Sequence, residues 1–470
     1  MKSLSGIAQD DLIHSTQEQI FGSALDGNTN DHTTMSTTNT TEQMIHQNQA
    51  TRANFAPAVR SQSVSAGTTI ARRRKSCENI SSVYPVTYRK MSSYHNISDL
   101  FRFHGFASEG DGNEATSDNI NQAQQQLLHN VNLDSCTCEF AIVGQSFQMA
   151  HGMQQLYRCI TWWRYCSSSL NNGSNRNMTW TLVWRKDPAS GELNRYMKGI
   201  IQAYQDALNV RIVSELPTPT TTAIPKTDTP RVTALIPHTT RSNKYPHYAM
   251  RTPEDTIYLR DTILQYYNLM DDGTSTSTSS AAAEGTPSST LPRIKSGGCQ
   301  RGKQFPVIGI LNRADDRRIQ NVVELQSRVR EEFSYNDLGV TYFENYTFYE
   351  QVQYMNSIDI LLSPHGAQLV SIPFMPSSTG AGCSGLIEFF QRGYFVSYYF
   401  GSLAAMSNIT YAHLYTGYNS TAERRKANRN GQTREWARRR NICLNIDAVV
   451  DGVRGMINEW KTCCENALSH

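Results

Sequence analysis

The chain contains no Asp-x-Asp, the carboxylate pair that commonly holds a divalent cation against a diphosphate; Asp271-Asp272 and Asp315-Asp316 lack that spacing. It contains no Gly-x-Ser-x-Gly, which excludes the strand-to-helix elbow of a serine hydrolase. No Gly-x-Gly-x-x-Gly follows the first strand, which argues against a nicotinamide oxidoreductase. Cys-x2-Cys and His-x3-His spacings are missing, and with them a zinc site. Charged residues are few at 18%, with 44 Lys and Arg against 41 Asp and Glu, so the net charge of +3 gives no reason to expect a nucleic-acid partner. The basic runs Arg72–Lys75 and Arg438–Arg440 read as solvated charge. No signal peptide opens the chain and no apolar run approaches the roughly 18 residues a membrane span needs.

What is present divides along the chain. The 470 residues leave room for two or three domains of ordinary size, about 100–200 residues each. Residues 1–130 are dominated by Thr, Ser, Asn and Gln without apolar periodicity and read as mostly disordered, with a short ordered piece at Asn96–Phe106. Residues 131–270 alternate strand and helix patterns: strands at Phe140–Val143, Thr181–Trp184, Val210–Val213 and Val232–Ile236, and helices at His151–Tyr165, Leu193–Leu208 and Pro253–Leu269. That alternation predicts a parallel α/β domain. The Ser/Thr/Gly/Ala-rich stretch 271–303 reads as a linker. A second domain is expected over 304–430 and a helical segment over 431–470, with its helix at Ile446–Trp460.

The most informative stretch is Ser357–Pro376. An apolar strand, Ile358–Leu362, runs into Ser363-Pro364-His365-Gly366-Ala367-Gln368 and then a second apolar run. A strand, a tight turn and a helix start are predicted. The first N–H groups of a helix lack partners and carry partial positive charge, which suits a phosphate. Gly366 and Ala367 leave that backbone accessible. Such turns also occur without ligands, so the neighbours matter. Phe305–Leu311 predicts another buried strand, with Arg313 at its end, on the ligand edge of an open α/β sheet. Arg317 and Arg318 follow at the expected start of a helix over Val322–Phe333, where a cation opposes the macrodipole. Either an anion offsets that cost or the pair is solvated beside Asp315 and Asp316.

Thr347 with Glu350 forms a capping-box pattern, and Val352, Met355 and Ile358 share a face. Glu388 interrupts the apolar strand Ser384–Phe390; a ribose diol or an arginine of the same chain is its expected partner. His151 opens a helix after the first strand. It is either a general base facing a cleft or a helix-start histidine satisfied by backbone or solvent. Arg158, two turns further on, is within reach of a phosphate. Trp162, Trp163 and Tyr165 read as core.

Together these pieces resemble glycosyltransferase family 61. The resemblance rests on Arg313, Arg317-Arg318-Ile319 and Asn321; Tyr349–Val352; Asp359–Ala367; Phe374–Pro376; Ile387–Phe390; and Tyr399–Ala404, in that order. It covers residues 303–415 well and 140–270 faintly. One departure stands out: the family usually continues His-Gly-Ala with Gly, and this chain has Gln368. Its amide either turns into solvent or reaches the ligand.

The resemblance implies a GT-B fold, two Rossmann-like domains with parallel sheets facing a cleft. It implies an inverting transferase that moves a sugar from a nucleotide sugar, commonly UDP-linked, to a protein or polysaccharide hydroxyl. The nucleotide-binding set would be Arg313, Arg317, Arg318, Ser363, His365, Gly366, Ala367, Gln368 and Glu388, with His151 as base and no metal cofactor. The alternative is a non-catalytic nucleotide-sugar- or glycan-binding protein of the same fold. A lumenal location in the Golgi or endoplasmic reticulum is expected, with a type II anchor upstream of this sequence and the C-terminal helix crossing back onto the first domain. Asn-x-Ser/Thr at Asn39, Asn79, Asn96, Asn172, Asn177, Asn345, Asn408 and Asn419 fits that compartment. Ten cysteines, an even number, favour disulfides there, with connectivity open.

Overall fold

Two mostly parallel β-sheets organise the computed structural model, which describes residues 77, 87–88, 101–104, 135–140, 149–170, 179–184, 195–213, 231–234, 250, 252–270, 298–299, 303–335, 338–376, 383–417 and 436–469. The sequence-based expectations at 1–76, Thr218–Pro230 and 271–297 lie outside the described residues.

The first sheet has five strands: β2 (Phe101–His104), β3 (Ser135–Phe140), β4 (Thr179–Trp184), β5 (Val210–Val213) and β6 (Arg231–Ala234). Their order is β2-β6-β3-β4-β5, with every pair parallel except β2–β6. Helices α1 (Met149–Leu170), α2 (Arg195–Leu208) and α3 (Pro253–Tyr266) connect and cover it. The first strand ends at Phe140, so the expected Phe140–Val143 was displaced toward the C-terminus; Cys136 and Cys138 belong to the strand and point into the core. Both join α1, as Cys136–Cys166 and Cys138–Cys159, and so staple the helix along the strand it follows. Trp162 and Trp163 are core, as expected, and Trp163 stacks on Trp180 with ring centroids 5.6 Å apart.

The second sheet has six strands: β1 (Thr87–Tyr88), β7 (Ile308–Asn312), β8 (Val340–Tyr342), β9 (Ile360–Pro364), β10 (Gly385–Phe390) and β11 (Thr410–Tyr415). The order is β1-β11-β10-β9-β7-β8, parallel except for β1. Residues of β7, β9 and β10 are buried throughout, which is why their sequence reads as unbroken apolar runs. Helices α4 (Val322–Phe333), α5 (Phe348–Asn356), α6 (Tyr398–Met406) and α7 (Ile446–Ser469) pack around the strands. The capping box at α5 forms as the sequence indicates: Thr347 N donates to Glu350 Oε2 at 2.6 Å and Glu350 N to Thr347 Oγ1 at 3.2 Å.

Side-chain alternation assigns the two faces of this sheet to different cores. Ile360, Leu362, Ile387, Phe389, Ala412 and Leu414 face one core with α4 and α7; Leu361, Leu386 and Tyr411 face the other. The second of these is continuous with the first sheet's core, through Tyr157, Ile160 and Leu259.

Two expectations are corrected here. The C-terminal helix does not return to the first sheet. Val449, Val453, Met456 and Ile457 give it an apolar face that fits the β7–β11 side of the second sheet, and Met456 lies against Gly385 at the start of β10. Disulfides Cys299–Cys464 and Cys383–Cys463 hold it there, and Cys77–Cys443 ties the segment before it to the N-terminal region. Second, the stretch after Gly366 is a 3-10 helix, Ala367–Phe374, with Pro373 inside it, rather than an α-helix start.

Candidate functional site

In the second sheet the chain runs β7 to β8 in one direction and then returns to place β9 on the other flank of β7. The carboxyl ends of β7 and β9 therefore bound a topological switch point, where open α/β sheets form a crevice. Arg313 follows β7 and His365-Gly366 follow β9, so the two stretches singled out in the sequence meet there.

Arg313 lies against Gly366. A Cβ built on that glycine would come within 2.6 Å of Arg313 Nη1, so the close approach requires the missing side chain. Gly366 itself is extended, with φ −179°, and no backbone strain is involved. Arg313 Nε donates to Asp316 O at 2.8 Å, and Glu344 Oε1 accepts from Ala314 N at 2.8 Å, which folds the β8–α5 loop onto the arginine loop.

Arg317 and Arg318 do not sit at a helix start. Helix α4 begins at Val322, and Arg317 lies in the preceding loop with φ 67°, in the left-handed region that a long side chain enters only when its surroundings hold it there. The macrodipole argument therefore does not apply to them. The loop is pinned by Asn312, whose side chain accepts from Ile319 N at 2.8 Å and donates to Ile319 O at 3.2 Å. Arg317 Nε is buried without a hydrogen-bond partner among the described residues. Burial, then the neighbouring charges of Arg313 and Arg438, pull Arg317 down to about 10, so it stays cationic at neutral pH. Arg313 is lowered too, chiefly by burial, while Glu344, Asp315 and Asp316 act in the opposite sense. Among the described residues no carboxylate forms an ion pair with Arg313, Arg317 or Arg318; Arg318 donates to Ala314 O at 3.3 Å.

The same sheet carries a polar row that period-2 reading of single strands does not reveal. Glu388 of β10 is in register with Ser363 of β9 and His413 of β11, so the three share one face across adjacent strands. Glu388 is fully buried, and its partners among the described residues are His365 and Tyr411 rather than an arginine. Its Oε1 meets His365 Nδ1 at 2.6 Å and its Oε2 accepts from Tyr411 Oη at 2.6 Å. Burial raises this carboxyl well above its ordinary value, and the Tyr411 hydroxyl offsets part of that. The other ring nitrogen of His365 lies 3.3 Å from Tyr394 Oη, and Phe390, Tyr399 and Phe400 enclose the ring.

Gln368 is buried and does not turn into solvent. Its amide nitrogen donates to Ser363 Oγ at 2.9 Å and lies 3.5 Å from Leu311 O, so it turns into the protein and ties the 3-10 helix to β9 and β7. Ser363 Oγ in turn donates to Pro364 O at 3.1 Å. Ala367 is half-buried at the head of the 3-10 helix.

His151 lies in the first turn of α1, past the carboxyl end of β3, and its side chain is outside the described residues. Arg158 is buried in the same helix, and burial pulls it down to about 9. No sequence pattern singles out Tyr394, Tyr411 and His413, because only strand register and the loop after β10 bring them to His365 and Glu388. The spacing Gly380, Gly382, Gly385 is a Gly-x-Gly-x-x-Gly, but Gly385 opens strand β10 rather than a helix, so the dinucleotide context is wrong. Among the described residues the cluster with metal-ligand potential is Cys299, Cys383 and Cys464, and its sulfurs are taken up in disulfides.

Parallel α/β sheets with an arginine-bearing switch point are consistent with a Rossmann-like glycosyltransferase fold. The family model Glycosyltransferase 61 matches residues 193–381, and this match supports assigning the chain to glycosyltransferase family 61 and, in general terms, to glycosyltransferase activity. The matched span contains the arginine loop and the His365-Gly366 turn and ends before Glu388. No curated protein matches the chain.

Proposed function

We propose that the protein is an inverting glycosyltransferase that moves a sugar from a UDP-linked donor to a protein or polysaccharide hydroxyl. The observation that carries this reading is the contact of Arg313 with Gly366 at the β7/β9 switch point, beside the unpaired Nε of Arg317. In this reading Arg313, Arg317 and Arg318 hold the diphosphate together with the N–H groups of the turn. They stabilise the leaving nucleotide by fixed positive charge, so no metal ion is required. His365 abuts the site through Tyr394, and Glu388 orients its ring. His151, at the corresponding edge of the first sheet, takes the acceptor proton. The switch-point order recurs in both sheets, which supports a GT-B arrangement with the acceptor on the first sheet's side.

The inward amide of Gln368 keeps its bulk off the turn, which supports a catalytic reading over a non-catalytic one. The ten cysteines are all paired, which supports an oxidising compartment such as the secretory lumen. Among the described residues no helix is long and apolar enough to cross a membrane.

Calorimetry with UDP, followed by transfer assays across UDP-sugars, tests the reading. Arg313→Ala is expected to weaken UDP binding by about 1.5–3 kcal/mol, the range for a charge-assisted bond. Turnover is expected to persist in EDTA, and the anomer of the product reads inversion. Loss of turnover in EDTA with recovery on adding manganese would refute the metal-free chemistry.

A further inference from the structure

The basic run at the C-terminal end of the fold, read from sequence as solvated charge, holds a residue that belongs to the site. The segment around Arg438 is fastened on both sides. Before it, Ala437 O accepts from Gln391 Nε2 at 3.1 Å, and Ala437 packs on Gly393 so closely that a Cβ there would lie 3.0 Å away. Gly393 has φ 85°, so the loop after β10 makes this contact with a glycine in a conformation that other residues resist. After it, Ile442 N donates to Arg318 O at 2.9 Å, and Gln320 N donates to Ile442 O at 2.8 Å. Arg438 is therefore suspended between the loop that carries Tyr394 and the loop that carries Arg313, Arg317 and Arg318.

Its guanidinium is exposed, and its charge bears on both Arg313 and Arg317. Three cations thus converge from two distant parts of the chain. Asp315, Asp316 and Glu344 lie near Arg313, but among the described residues none forms an ion pair with any of the three. The bonds at Ala437 and Ile442 fix this segment between the two loops, so the charge of Arg438 stays near its like-charged neighbours. Like charges kept together at a switch-point crevice are offset by a polyanion.

We propose that Arg438 is a fourth phosphate-binding arginine, which joins Arg313, Arg317 and Arg318 in the cradle for the diphosphate. The inference rests on the nucleotide-binding reading above and extends the site to a segment beyond the family match.

The test is calorimetry on the full chain with UDP and, separately, inorganic pyrophosphate, for the unaltered protein and for Arg438→Ala, Arg438→Lys and Arg440→Ala. Arg440 lies in the same segment, with its guanidinium 4.7 Å from the Trp436 ring centroid, and its loss changes net charge equally. Arg438→Ala is expected to weaken both ligands roughly tenfold, and Arg438→Lys to recover part of that, since lysine restores charge without the two-pronged geometry. Arg440→Ala is expected to stay within about twofold, as screened surface charge does. Equal losses in Arg438→Ala and Arg440→Ala would overturn the proposal. Binding of pyrophosphate but not UDP, still weakened in Arg438→Ala, would uphold the cradle and reject the nucleotide reading. Binding of neither ligand would reject both.

Discussion

Glu388 in the middle of β10 and His365 just past the end of β9 meet at 2.6 Å in a fully buried contact, with Tyr411 closing the second carboxylate oxygen. The pair adjoins Gly366, against which Arg313 lies, and His365 reaches Tyr394 on its other side. This pairing converts a buried carboxyl, costly by itself, into a fixed support for the His365-Gly366 turn.

That contact predicts a pH signature. Burial raises Glu388 well above 4.5, so above that pH the native state keeps a proton that the unfolded chain has released. Stability contributed by this group is present at acid pH and is lost as pH rises toward the raised value. The melting temperature of the native sequence, relative to Glu388→Gln, is therefore expected to fall as pH rises from about 4.5. Parallel melting curves for the two proteins across that range would show that Glu388 ionises as in the unfolded chain.

Gly366→Ala separates folding from binding. With φ −179° alanine fits the backbone, so the melting temperature is expected to change little. The added Cβ would sit 2.6 Å from Arg313 Nη1 and must displace it. UDP affinity is expected to drop about tenfold, a change of about 1.4 kcal/mol. Unchanged affinity would mean that Arg313 binds from another position.

Gln368→Ala is expected to act on stability rather than on sugar choice. It removes the amide that donates to Ser363 Oγ in a buried site, a loss of about 1–2 kcal/mol. Denaturant unfolding measures this, and a panel of UDP-sugars should shift together. A change in rank order among the sugars would show that the side chain leaves Ser363 when the donor binds.

Cys138→Ala combined with Cys159→Ala removes one of the two staples between β3 and α1 and leaves Cys136–Cys166. A loss of about 2–4 kcal/mol is expected, as for a bridge closing a loop of this kind. Unfolding midpoints with and without reductant provide the check; a variant as stable as the native chain would show that Cys136–Cys166 and the Trp162–Trp163 packing suffice to hold the helix.

Much of the architecture was legible from local pattern. Val322–Phe333 and Val210–Val213 were bounded from sequence as the structure has them, because apolar spacing and the adjoining polar turns act over a few residues. The capping box at Thr347 and Glu350 is likewise a contact between near neighbours. Arg313 at the end of β7 and the turn at Gly366 followed from the same reading, since a strand's end is a local event. Partnership was not legible. Glu388 pairs with His365 and Tyr411, Gln368 with Ser363, and Arg438 is carried to the arginine loop by bonds from Gln391 and Arg318, each through strand order or loop crossing that one-dimensional spacing does not encode. The sequence by itself determined which segments become strands and helices and that arginines and a glycine stand at two strand ends. Only the tertiary structure decided that those ends are neighbours across a switch point, because parallel strands pair through crossovers whose direction is set by global packing.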